Sequence, residues 1–289
     1  MRAATIVDGR IEIEERPDPV PGEGEILIEV RAAGINGADL AQRADRYPPP
    51  AGATDVPGLE CAGETADGRR VMALLPGGGQ AELAVAHETH VLPVPDALGW
   101  EEAGGFVEVF ATAHDALFTQ AELAAGERLL VNGAAGGVGV AAVQLGLAAG
   151  AHVTASARHH HEELRALGAD TDVEGEYDVI VELVGGENLA SNLTRLALKG
   201  RISIIGTGAG SRAEIDFGYL TRKRGRIHGS TLRARTIEEK AQVMSALGAF
   251  TAEHELRVPV EETFPLEETE AAYERFRAGN KFGKIVVCP

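Results

Sequence analysis

Arg128-Leu129-Leu130-Val131-Asn132-Gly133-Ala134-Ala135-Gly136-Gly137-Val138-Gly139 decides the architecture of this chain. A short apolar run of strand length ends at Asn132, a glycine-rich turn follows, and an apolar helix runs on to residue 149. A phosphate must come close to peptide N–H groups, so the side chains of such a loop have to be minimal. The helix that opens behind it presents unpaired N–H donors and a partial positive charge to an anion. A tight turn that needs small residues only for packing is the plainer alternative. The strand before, the helix after and the prompt arrival of another strand favour a dinucleotide held at Ala134, Gly136, Gly137, Val138 and Gly139.

Outward from this unit the texture splits. Downstream, strands at 152–157, 178–184 and 201–206 alternate with helices at 160–167 and 187–198, the pattern of parallel βαβ units and a doubly wound Rossmann sheet. A helix at 101–117 precedes the unit. Upstream, strands at 10–14, 25–32, 71–75 and 81–86 are broken by Pro17, Pro19, Pro21, Gly22 and the loop Pro76-Gly77-Gly78-Gly79, which suggests a barrel or sandwich. The tail returns to mixed structure, with helices at 236–253 and 266–278 and a last strand at 284–288. The chain thus reads as α/β, with a β-rich domain at 1–105 and 254–289 and a dinucleotide-binding domain at 106–253. A cleft between two such lobes is the expected ligand site.

The end of the second Rossmann strand selects the dinucleotide. An acid there accepts from the ribose 2′-OH of NAD and repels a 2′-phosphate. This chain has Thr154-Ala155-Ser156-Ala157-Arg158-His159-His160-His161, with no acid before Glu162. Ser156 can donate a hydrogen bond and Arg158 can pair with a phosphate through its planar fork, with His160 near by. The expected cofactor is NADPH; an Arg that merely faces solvent is the alternative. Adjacent histidines on a helix point different ways and do not make a metal site. Val184 and Gly185, like Gly206 and Gly208, follow later strands, where the ribose and nicotinamide pass unless these glycines serve turn geometry alone.

Length and charge exclude other classes. With 289 residues the chain buries a stable core, and 27 basic against 44 acidic residues give a net charge of −17. That field repels a phosphate backbone, and the one basic run, Arg222-Lys223-Arg224-Gly225-Arg226, is short, so no nucleic-acid partner is expected. Cys61 and Cys288 make no disulfide framework, no apolar stretch nears the ~20 residues of a membrane span, and the N-terminus lacks a signal-like run. A cytoplasmic location away from membranes is expected. No G-x-S-x-G is present, and no Lys follows the glycines as in a P-loop.

Three further stretches carry a resemblance: Ala33-Gly34-Ile35-Asn36-Gly37-Ala38-Asp39-Leu40 through Tyr47-Pro48-Pro49-Pro50, Pro57-Gly58-Leu59-Glu60-Cys61-Ala62-Gly63-Glu64, and Gly283-Lys284-Ile285-Val286-Val287. With the glycine loop they resemble the zinc-independent quinone oxidoreductases of the medium-chain dehydrogenase/reductase superfamily, nearest the tumour-suppressor-inducible branch. The resemblance implies a GroES-like barrel lobe joined to a Rossmann domain. Asn36 and Leu59 stand where zinc-dependent relatives have Cys and His, so no metal is expected. What remains is hydride transfer from NADPH to an acceptor that is already electrophilic, a quinone or a related enone. By the same resemblance Asn36, Asp39 and Tyr47 belong to the catalytic pocket and Thr112 lies beside the nicotinamide. The residues alone equally allow Asn36 as a helix N-cap, Asp39 as its partner and as an (i, i+4) mate of Arg43, and Tyr47 as loop packing.

One departure stands out. Between Gly168-Ala169-Asp170 and Tyr177 the link Thr171-Asp172-Val173-Glu174-Gly175-Glu176 is shorter than the family's by on the order of fifteen residues, a typical αβ unit. A more open adenine pocket and weaker cofactor affinity are expected. Two rivals share the scaffold: an enoyl-thioester or 2-alkenal reductase, and a non-catalytic NADPH-binding protein. The resemblance also implies a homodimer paired through the edge Arg226-Ile227-His228-Gly229-Ser230.

Overall fold

Runs of branched apolar residues, buried on both faces, make a five-stranded parallel sheet in the computed structural model, which describes residues 1–186 and 188–289. Its order is Arg226–Gly229, Leu196–Ile204, Tyr177–Glu182, Arg128–Asn132, His152–Ser156. Leu129 to Val131 and Val179 to Val181 are all 1% exposed or less, as strands covered on both sides must be. The register lines up Gly229, Ile204, Glu182, Asn132 and Ser156, so the carboxyl ends of all five strands form one rim. Ligands of open α/β sheets bind along such a rim.

This sheet belongs to the second of two compact units, Phe110–Leu232; the first unit comprises Met1–Val109 and Arg233–Pro289. The second boundary corrects the sequence reading, which gave the helix at 236–253 to the dinucleotide domain. Ile237–Glu253 packs instead on the segment at 88–93, where His90 Nε2 lies 3.0 Å from the Ile237 carbonyl and Gly248 lets Leu92 approach. Residues 106–109 likewise fall in the first unit.

The first unit holds a separate, mainly antiparallel sheet and the hairpin Arg2–Val7 with Arg10–Glu15. Strand Glu25–Gly34 is its hub. It pairs with Leu83–His87 along its first half, with Glu60–Thr65 along its middle, and with Lys284–Cys288 through Ala33 and Gly34. Ile28, Val30, Ala33, Cys61 and Val71 pack beneath it in one core, while Ile35, Leu266, Tyr273 and Val287 join a second.

Differences from the sequence reading have local causes. The helix expected at 101–117 is broken at Gly105 into Trp100–Gly104 and Val107–His114, followed by a wider turn over Asp115–Gln120. The helix expected at 187–198 is Asn188–Thr194, because Leu196 pairs with Tyr177 and starts the next strand; Glu187 lies outside the described residues. The shortened link leaves His152–Ser156 as an edge strand. On its outer side only Asp170 among the described residues pairs with it, accepting the Ala155 N–H at its carbonyl at 2.7 Å and donating its own N–H to Val153 O at 2.9 Å. Among the described residues no helix is long and apolar enough to cross a membrane.

Candidate active site

In the parallel-sheet unit, the glycine turn is fixed from below. Gly133 and Ala134 donate their N–H groups to Ser156 O at 2.9 and 3.0 Å, so the Ala134 N–H is not available to a ligand. Helix Gly137–Ala148 then starts with no side-chain cap, which leaves the N–H groups of its first turn, at Gly137, Val138 and Gly139, without a capping side chain. A Cβ at Gly139 would strike Gly133 O and come within 2.6 Å of Ala134 Cα, whereas one at Gly136 would meet only Gly133 O, at an ordinary 3.6 Å. Close packing behind Gly139 and an uncapped helix start make a cradle that fits a pyrophosphate.

Glu182, wholly buried at the end of its strand, organises the rest of the rim. Its carboxylate accepts from the Val184 and Gly185 N–H groups, both at 2.7 Å, from Asn132 Nδ2 at 2.9 Å and from Asn192 Nδ2 at 2.7 Å. Val184 and Gly185 thus spend their donors inside the protein and can offer a ligand only surface. Gly206 gives its N–H to Glu182 O, and Gly208 is exposed with open space about it.

At the adenine end Ser156 is half-buried and Arg158 exposed, and Arg158 makes no ion pair among the described residues. His160, in a left-handed conformation with φ of 67°, precedes helix His161–Ala166 and turns Nδ1 to Glu163 at 2.9 Å. Thr112 is 9% exposed.

In the other unit Asn36 and Asp39 both have internal partners. Asp39 is fully buried; it accepts the Asn36 N–H at 2.8 Å and the Gly58 N–H at 3.0 Å, joining helix Gly37–Arg43 to the loop before Glu60–Thr65. Burial pushes its carboxyl up to about 6, against the pull of those two N–H groups and of Lys284. No ligand can reach it. Arg43 pairs with Glu270 and Glu274, not with Asp39. Asn36 is 8% exposed and its amide is committed inward, Nδ2 donating to Glu60 Oε1 at 2.9 Å and Oδ1 accepting from Lys284 Nζ at 2.7 Å.

Lys284 and Glu60, neither anticipated from sequence, are the centre of this cluster. The ammonium donates to Glu60 Oε1 at 2.6 Å and to Ile35 O at 3.0 Å, while Glu60 Oε2 receives the Glu108 N–H at 3.0 Å. Gly34 makes the room: a Cβ there would lie 2.5 Å from Glu60 Oε1 and 2.7 Å from Lys284 Cε. Tyr47 is half-buried, with the Arg233 guanidinium 5.2 Å from its ring centre. Arg233, itself 6% exposed, is pinned by Pro76 O, Tyr47 O and Gln42 Oε1. Glu60, Lys284 and Glu182 share one sequence signal, a charged residue as the first or last of a strand. Arg233 and Glu108 carry none, because their partners are remote in sequence.

Zinc does not fit this cluster. Leu59 offers hydrocarbon, both polar atoms of Asn36 are taken, and Glu60 already holds an ammonium.

Residues 22–122 match the alcohol dehydrogenase GroES-like domain family and residues 150–287 the zinc-binding dehydrogenase family. The chain is 31% identical to quinone oxidoreductase of Lama guanicoe, over 93% of this chain and 90% of that protein. It is 36% identical to a stretch of polyketide synthase GfsB of Streptomyces halstedii, which spans 64% of this chain and 4% of the synthase. The quinone oxidoreductase of Thermus thermophilus, solved also as its complex with NADPH, superposes over the full length of both chains with a TM-score of 0.87 and 30% identity. Likeness this extensive, carried by a GroES-like sheet and a Rossmann sheet in one chain, makes the protein an oxidoreductase of the quinone oxidoreductase family, within the medium-chain dehydrogenase/reductase superfamily.

Proposed function

We propose that the protein transfers hydride from NADPH to a quinone or a related electrophilic enone, with no metal involved. The observation that carries this reading is the uncapped, glycine-lined helix start at Gly137, with the exposed Arg158, which makes no ion pair among the described residues, just past the neighbouring strand. The first suits a pyrophosphate and the second a 2′-phosphate. Bound there, a reduced nicotinamide supplies the hydride. The protein's part is to hold the phosphates at Gly136, Gly137, Val138 and Gly139, to set the rim through Glu182, and to present the acceptor to Tyr47. Asn36 and Asp39 act as positioning residues for that loop. The likeness to a quinone oxidoreductase over nine-tenths of the chain supports the acceptor class.

A second reading, reduction of an enoyl thioester or 2-alkenal, draws on the likeness to part of a polyketide synthase. Calorimetric titration with NADPH and NADH, followed by stopped-flow loss of reduced-nicotinamide absorbance with benzoquinones, alkenals and crotonyl-CoA, separates the readings. Tighter NADH binding overturns the cofactor choice, faster turnover of the thioester favours the second reading, and binding without hydride loss leaves a silent binder. The edge strand Arg226–Gly229 further suggests a homodimer. A monomer mass in light scattering at micromolar concentration contradicts it.

A further inference from the structure

Glu108 is the one acid of the Asn36–Glu60–Lys284 cluster whose carboxyl is both deep and open. It stands in the first turn of helix Val107–His114, flanked by Val107 and Val109 at 0% and 2% exposure, yet keeps part of its own surface accessible. Its backbone is tied down by the bond from its N–H to Glu60 Oε2. Its carboxyl, unlike those of Glu60 and Asp39, makes no hydrogen bond or ion pair among the described residues, and neither oxygen is sealed from solvent. A carboxyl held among other charged groups yet committed to no internal partner is unusual for a structural group, which would be paired.

We propose that Glu108 is the proton donor of the reductive reaction, giving its carboxyl proton to the acceptor oxygen that becomes negative as hydride arrives. The inference rests on the proposed hydride transfer and adds to it the group that completes the product. The balance is simple. The bound nicotinamide supplies one hydrogen nucleus and an electron pair, and the acceptor gains both. The Glu108 O–H bond breaks, an O–H bond forms on the hydroquinone or enol, and water returns a proton to the carboxylate left behind.

The surroundings keep such a group protonated. Burial pushes the Glu108 carboxyl up to about 8; the charge of Glu60 adds to the rise, Lys284 opposes it, Asp39 adds and Arg233 opposes. Lys240, on the neighbouring helix, feels Glu108 in turn, and its ammonium is held below its usual value by burial. Two carboxylates thus face the group from the strand Glu60–Thr65 and the helix Gly37–Arg43, and three cations from Lys284, Arg233 and Lys240. At neutral pH the acid form dominates, and a pKa near the working pH is the condition under which a general acid is most effective. Arg233 also packs on Tyr47, so the acid belongs to the same side-chain cluster as the residue expected against the acceptor.

Single-turnover loss of reduced-nicotinamide absorbance, followed from pH 6 to pH 10 with a benzoquinone series in the full-length wild type, Glu108→Gln and Glu108→Asp, tests the proposal. The wild-type rate should fall above pH of about 8, and Glu108→Gln should be ~100-fold slower and flat over that window, the low end of what a positioned general acid contributes. Glu108→Asp should recover part of the rate, and coenzyme affinity should be unchanged in both. The wild-type fall should also weaken with quinones whose hydroquinones are stronger acids, a readout that holds even if Glu108→Gln does not fold. Superimposable wild-type and Glu108→Gln profiles, a loss confined to coenzyme affinity, or a wild-type profile indifferent to hydroquinone acidity overturns the donor while leaving hydride transfer standing. A wild type that binds coenzyme but oxidises it with no quinone or enone overturns both.

Discussion

Lys284 Nζ and Glu60 Oε1 lie 2.6 Å apart with side chains 2% and 0% exposed, an ion pair closed off from water between the last strand and the strand that follows Leu59. Each of the ammonium's donors is used, by Glu60, Asn36 Oδ1 and Ile35 O. Removing a charge from the interior of such a pair leaves its partner unpaired, and that penalty exceeds what the pair itself contributes.

Lys284→Ala is therefore expected to destabilise the first unit by about 3–5 kcal/mol. The double change Lys284→Met with Glu60→Gln should recover part of the loss, since it abolishes the buried charge altogether. Urea denaturation followed by circular dichroism reads both.

Gly139→Ala places a methyl group against Gly133 O and Ala134 Cα, within the turn that presents the helix start. Backbone atoms cannot swing aside as a long side chain does. A cost of about 1–3 kcal/mol is expected for the overpacking. Coenzyme binding should be lost at concentrations that saturate the wild type. Gly208→Ala, which meets nothing within 4 Å, is the control and should bind as the wild type does.

Arg158→Ala should weaken NADPH about tenfold, the low end for a charged hydrogen bond at an exposed position, and leave NADH unchanged. Calorimetric titration of both coenzymes measures the ratio. Equal loss for the two would assign Arg158 to the shared part of the dinucleotide.

Two buried carboxyls should pull stability down as pH rises across the neutral range, while the lowered values of His90, His114, His228 and Lys281 pull it the other way. The Glu108 carboxyl, raised from 4.5 to about 8 by burial, binds a proton more tightly folded than unfolded, so its contribution is complete at low pH and is lost as pH climbs through about 8. Asp39, raised to about 6, acts in the same direction over a lower window. Glu108→Gln should flatten the upper part of the profile of melting temperature against pH, and Asp39 should keep the lower part. A wild type that loses no more stability than Glu108→Gln between pH 6 and pH 9 contradicts this account.

The parallel sheet was legible because each of its strands is a contiguous apolar run that needs no distant partner to be recognised. The turn at Gly133 to Gly139 was legible because phosphate proximity demands small residues at fixed places. Asn36 and Asp39 were legible as a helix start, since Asp39 accepts the Asn36 N–H three residues away, but not as neighbours of a buried charge. Whether an amide faces a ligand or a neighbouring ammonium depends on Lys284, which lies at the far end of the chain. The helix Ile237–Glu253 was attached to the wrong unit for the same reason, since its contact with His90 spans half of the sequence. Glu108 escaped notice because burial, not neighbouring sequence, gives it its chemistry.

The single residue pair between Thr154 and Asp170 separates two properties that usually travel together in such domains. Peripheral strands here can be trimmed without moving the rim, because alignment of Asn132, Glu182 and Ile204 is set by central neighbours. A substitution at Asp170 should therefore disturb the flank beside His152–Ser156 and leave the alignment of Asn132, Glu182 and Ile204 as it is.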